Sequence, residues 1–169
     1  DQIVALYESP GVSGLDNGNI TITGGSLTVT QANAIDLLTT GVVTASIVTT
    51  ETVDSLKTLT GTNAYTIVIS DTTASASDLN AINGLTTATV DLTNVTSVTS
   101  SALSDLDTLA TAISDQEFIN ATNLETNAVS DSEIDITSSA GTIDSLDAID
   151  AESIDMTMVS GATINVAAS

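Results

Sequence analysis

The chain has 169 residues and carries 22 acidic side chains against one basic one, Lys57, for a formal charge of -21, with no Cys, His or Arg. Such a polyanion has almost nothing with which to neutralise phosphate, so nucleic acid and anionic membrane surfaces are set aside as partners. The missing imidazoles and thiols exclude Ser-His-Asp and Cys-His catalysis and metal sites built on nitrogen or sulfur.

Hydrophobic residues make up 41% of the chain and are patterned, which favours a folded core over disorder. Aromatic residues are only 2%, so that core is aliphatic. No apolar run is long enough for a membrane span, and no basic start precedes an apolar stretch. The chain begins at Asp1 rather than Met, which suits a removed leader or an excised fragment, and either fits an exported, extracellular protein.

Residues 1–18 stand apart. Residues 1–8 read as one strand, and the following stretch holds the only Pro and three Gly, a hinge. Ile3, Val4, Ala5, Leu6 and Tyr7 are the candidate assembly residues, because a tethered strand either caps its own chain or adds to a neighbour's open sheet.

Residues 19–113 read as a strand-helix repeat. Strands are expected at 20–23 and 27–30, separated by a Gly24-Gly25 turn, with a helix over 31–38. A second copy places a strand at 42–48 and a helix at 51–59. Two more follow, with strands at 65–70 and 88–95 and helices at 76–85 and 101–109. Leu79, Ile82 and Leu85, then Leu103, Leu106 and Leu109, stand at helical spacing. A unit of this size cannot bury its apolar edge alone and must lean on a copy of itself. The fold expected is mainly β: a parallel β-solenoid-like stack of short strands with short helices in several coils, plus the N-terminal strand arm.

Residues 114–169 read as irregular coils. Leu124, Val129 and Ile134 recur every five residues, another helical element occupies 142–149, and 155–166 alternate as a final hairpin would.

The stretch from Ile69 to Ile82, a strand followed by Ser70-Asp71-Thr72 and a Leu79-x-x-Ile82 helix, resembles the degenerate repeats of large, acidic, Cys-free bacterial surface proteins, adhesins and surface-layer proteins among them. Residues 121–166 are similar to the shafts of phage tail fibres. These resemblances imply an extracellular, non-enzymatic role, often with bound calcium; the glycine-rich calcium nonapeptide of such proteins does not occur here, so no ligand carries over.

Calcium is the candidate cofactor on chemical grounds, because hard cations take carboxylate oxygens. The metal candidates are Asp131, Glu133 and Asp135, with Asp144 and Asp147 beside Asp150 and Glu152; Asp105 with Asp107 is a further pair. A solvated acidic face explains the same residues. Asn19, Asn94 and Asn120 head N-glycosylation sequons, with a polar ladder between coils as their structural alternative. Lys57 is expected on an exposed face beside Asp54. Paired carboxylates could in principle cleave glycans, but one Phe, two Tyr and no Trp leave little to grip a sugar.

The functional expectation is a structural subunit of an extracellular filament, sheath or surface layer, whose partners are copies of itself. A segment of a long calcium-binding adhesin or phage fibre is the alternative, and a carbohydrate-active protein the remote one.

Overall fold

The structure, a computed structural model, describes residue 2, residues 17–99 and 101–121, and the backbone of three further strands. The elements run β1 (Ile20–Leu27), α1 (Val29–Asp36), β2 (Val43–Ile47), α2 (Val53–Leu56), β3 (Ala64–Val68), β4 (Thr73–Ala74), α3 (Ala76–Asn83), β5 (Val90–Asp91), β6 (Ser97–Val98), α4 (Leu103–Ser114), β7 (Phe118–Ile119), β8 (Glu125–Thr126), β9 (Glu133–Asp135) and β10 (Thr163–Asn165).

Five strands form one sheet in the order β1-β2-β3-β5-β7, and every pair is parallel. Each strand therefore lies beside the strand of the preceding unit, with Thr44 opposite Ala64, Ile67 opposite Val90 and Val90 opposite Phe118. A second parallel ladder, β4-β6-β8, adds a shorter strand per unit, and β10 pairs in parallel with β9. Helices must fill the crossovers, since parallel neighbours cannot be joined by a tight turn.

The core is aliphatic and continuous. Val43, Ala45 and Ile47 of β2, then Tyr65 and Ile67 of β3 and Val90 of β5, face helix residues Ala32, Leu56, Leu79, Ile82, Leu106 and Leu109, and all are buried. The strand residues alternate with exposed or half-buried ones, Thr44 and Ser46 in β2 and Ala64, Thr66 and Val68 in β3, the period-2 pattern of a sheet with one face against helices. Of the helices α1 to α4, all but the last have a side-chain cap: Thr28 accepts from Gln31 N and completes a capping box, Thr52 accepts from Ser55 N, and Ser75 accepts from Asp78 N, whereas Ala102 makes no side-chain cap bond.

The expectation of a mainly β, solenoid-like stack is overturned. The chain is mixed α/β: the described residues include a five-stranded parallel sheet and the four helices α1 to α4, and these helices contribute about as much of the described core as the strands. Boundaries also differ. The strand expected at 27–30 is instead the end of β1 and the start of α1, because the Thr28 capping box turns the chain into a helix. The Gly24-Gly25 segment is not a hairpin turn. Thr21 faces Thr44 and Ser26 faces Ser46, so the residues between them bulge from the ladder, with Gly25 at φ +93°. The strand expected at 88–95 shrinks to Val90–Asp91, and α4 runs on to Ser114.

Candidate functional site

The most developed polar feature is a set of side chains that reach from one strand-helix unit to the backbone of its neighbour. The first N–H groups of a helix have no acceptor within it. In α1 the Val29 N–H donates to Glu51 Oε1 at 3.0 Å; in α2 the Val53 N–H donates to Asp71 Oδ2 at 2.8 Å; in α3 the Ala76 N–H donates to Ser101 Oγ at 3.0 Å. Each acceptor belongs to the next unit along the chain. Carboxylates suit this place, since the helix start carries partial positive charge.

The strand side is joined in the same way. Asn63 Oδ1 accepts from Val43 N at 2.8 Å while its Nδ2 donates to Asp36 Oδ1 at 2.7 Å. Thr86 Oγ1 both accepts from Tyr65 N and donates to Tyr65 O, at 3.0 and 2.7 Å. Asn33 takes Thr60 N and gives to Thr58 O, and Asn80 Nδ2 donates to Asp105 O. Asn63 and Thr86 are buried, so these bonds satisfy groups that would otherwise be stranded.

Charge follows the same joints. Glu51 is held below its ordinary carboxylate range, chiefly by the Ser55 hydroxyl and then by the Val29 N–H. Burial pushes Asp78 up, but the Lys57 ammonium and the Ser75 hydroxyl together bring it below its usual value. Partial burial likewise opposes Asp91, and hydrogen bonds from Thr93 and Asn120 overcome it. Burial, with Asp36 nearby, raises the Tyr65 hydroxyl to about 12, and Asn63 works the other way.

Lys57 is not simply solvated on an outer face. Its Nζ lies 3.0 Å from Asp54 and 2.7 Å from Asp78, so the chain's one cation links α2 to α3.

An open groove of about 340 Å³ runs between α3 and α4, lined by Asn80, Asn83, Asp107, Thr108, Asp115 and Glu117 among others. Asn83 Nδ2 donates to Glu117 Oε2 at 2.5 Å. Asp107 lines this groove, and the backbone carbonyl of Asp105 accepts from Asn80 Nδ2. Among the described residues no group of three His, Cys, Asp or Glu side chains is arranged to hold a metal, and no helix is long and apolar enough to cross a membrane.

Of the expected calcium ligands, Glu133 and Asp135 lie on β9, opposite Thr163 and Asn165 of β10, with only their backbone described. Asp131, Asp144, Asp147, Asp150 and Glu152 lie outside the described residues, as do the arm residues Ile3, Val4, Ala5, Leu6 and Tyr7. The three sequon asparagines are all exposed. Asn19 Oδ1 accepts from Val42 N; Asn94 Nδ2 donates to Ile69 O; Asn120, at φ +58°, donates from Nδ2 to Asp91 Oδ1. All three therefore act as links between units.

Sequence reasoning did not find the acceptors Glu51, Asp71 and Ser101. The signal was present in the acid or hydroxyl that stands one to four residues ahead of each cap Thr52, Ser75 and Ala102, a place where a helix of the preceding unit begins alongside.

No family model, curated protein or solved structure matches the chain.

Proposed function

We propose that the chain is a structural subunit of an extracellular filament, sheath or surface layer, joining copies of itself through subunit-to-subunit β contacts, with the N-terminal strand donated to a neighbour. The supporting observation is that the helix starts of α1, α2 and α3 are finished by a side chain from the following unit. A joint of that kind can be made by a further copy as well as by a further stretch of the same chain. Sheet edges offer the second attachment, since their backbone groups recruit another strand. A contact between two different faces propagates rather than closes, which yields a polymer. The near absence of basic residues leaves trypsin-like proteases one cleavage position, a composition suited to an exposed material.

The test is a truncation lacking residues 1–12. It keeps the circular-dichroism spectrum of the parent and loses sedimenting polymer; undiminished fibre growth in electron micrographs removes strand donation.

The strictly sequential order of the sheet also favours a second reading, a segment of a longer fibre or adhesin in which further units continue covalently. Intact mass of the natural protein separates the two. Calcium remains a proposed ligand of the acidic 131–147 region. A melting shift by calcium beyond that given by sodium at equal ionic strength supports it, and equal shifts remove it.

A further inference from the structure

The chain contains two Asn-Gly dipeptides, Asn17-Gly18 and Asn83-Gly84, and they sit in opposite environments. A glycine nitrogen following asparagine is the least hindered nucleophile the backbone offers to the asparagine side-chain carbonyl. Asn83 ends α3. The Gly84 N–H donates to Asn80 O at 3.1 Å, and Asn83 Nδ2, the group that would have to leave, donates to Glu117 Oε2. Attack there requires the helix end to open.

Asn17 is exposed, in a turn. Neither its Nδ2 nor the Gly18 N–H makes a hydrogen bond among the described residues. Its Oδ1 does: the Thr40 hydroxyl donates to it at 2.8 Å. The Thr39 hydroxyl holds the Gly18 carbonyl at 2.6 Å, which fixes the following peptide. A donor on the side-chain oxygen stands where negative charge develops as a nitrogen adds to the carbonyl carbon, the arrangement that stabilises acyl-transfer intermediates.

We propose that Asn17 is a site of spontaneous covalent modification, in which the Gly18 nitrogen is the nucleophile and the Thr40 hydroxyl stabilises the oxyanion. A bond forms between Gly18 N and Asn17 Cγ, the Cγ–Nδ2 bond breaks, and Nδ2 leaves as ammonia with the proton that Gly18 N gives up. Water then adds to either carbonyl of the cyclic imide and opens it to aspartate or isoaspartate. Nothing is oxidised or reduced, and an amide becomes a carboxylate.

The consequence is local and directional. Isoaspartate lengthens the backbone immediately before Gly18, whose carbonyl lies so close to Gly41 that a Cβ there would sit 2.6 Å away. That contact has no slack. The change therefore loosens the joint between the first two units, where Asn17, Gly18 and Asn19 meet Thr40, Thr39 and Val42.

The experiment ages the full chain in mildly alkaline buffer, native and in denaturant, and follows both dipeptides by peptide mapping with an Asp- or Glu-directed protease. In denaturant the two convert at similar rates. In the native chain Asn17 outpaces Asn83 by about tenfold or more, because only Asn83 must wait for local opening. Equal native rates, or a faster Asn83, overturn the proposal. Thr40→Val, checked for an unchanged circular-dichroism spectrum, slows Asn17 by about tenfold and leaves Asn83 alone. An unchanged Asn17 rate in that variant removes the oxyanion role.

Discussion

Gly61 has a conformation that other residues reach only under strain. Its φ is +69°, and a Cβ would stand 2.8 Å from Asp36 Oδ1, the carboxylate that receives Asn63 and Thr60. Gly61→Ala is expected to cost about 1–2 kcal/mol, from left-handed strain plus displacement of that carboxylate. Gly24 faces open space, so Gly24→Ala is expected to stay within about 0.5 kcal/mol of neutral; urea melts of both variants check the contrast. Glu51 gives a pH signature. Its folded carboxyl titrates below the unfolded one, so its stabilising effect is complete above the ordinary glutamate range and is lost as pH falls through the depressed folded value. Glu51→Gln is expected to be less stable than the parent at pH 7 and equal to it in acid, as read from paired denaturant melts across pH. A difference that persists in acid would assign the effect to shape rather than charge.

At the scale of the element, the unit of stability is a helix plus the side chain that finishes it from next door. Ser101→Ala removes the acceptor of the Ala76 N–H and is expected to cost about 0.5–2 kcal/mol, the range of a lost cap, although Ser101 lies outside the helix it serves. Leu106→Ala, at a fully buried position, is expected to cost about 2–5 kcal/mol. Thermal or urea melts check both. The helices were legible because apolar residues stand three apart within them, as in Leu79 and Ile82 and in Leu106 and Leu109, and these four are buried in the core. The strands were less so. A two-residue strand such as Thr73–Ala74 or Ser97–Val98 is too short to carry an alternation, and the whole β4-β6-β8 ladder went unread. Leu27-Thr28-Val29-Thr30 looked like a strand because apolar and Thr residues alternate and three of the four are β-branched, yet the Thr28 to Gln31 box sets a helix start there. The acceptors Glu51, Asp71 and Ser101 were missed for a different reason: each finishes a helix of the preceding unit, and one-dimensional periodicity does not register that.

For the whole molecule the governing quantity is charge. With a formal -21 and Lys57 already engaged by Asp54 and Asp78, the folded chain carries self-repulsion that mobile ions relieve. The melting temperature is expected to rise as sodium chloride goes from low to physiological concentration; a flat or falling response would show that the carboxylates lie too far apart to matter. The sheet order bears on how the chain acquires its structure. Because β2 follows β1 and β3 follows β2 at adjacent places in the sheet, each strand after β1 in that sheet finds one neighbour already synthesised when it leaves the ribosome, and the next neighbour comes from the unit made directly after it. The nascent chain can lay down one course after another from its first strand, without holding apolar segments in wait for a distant mate.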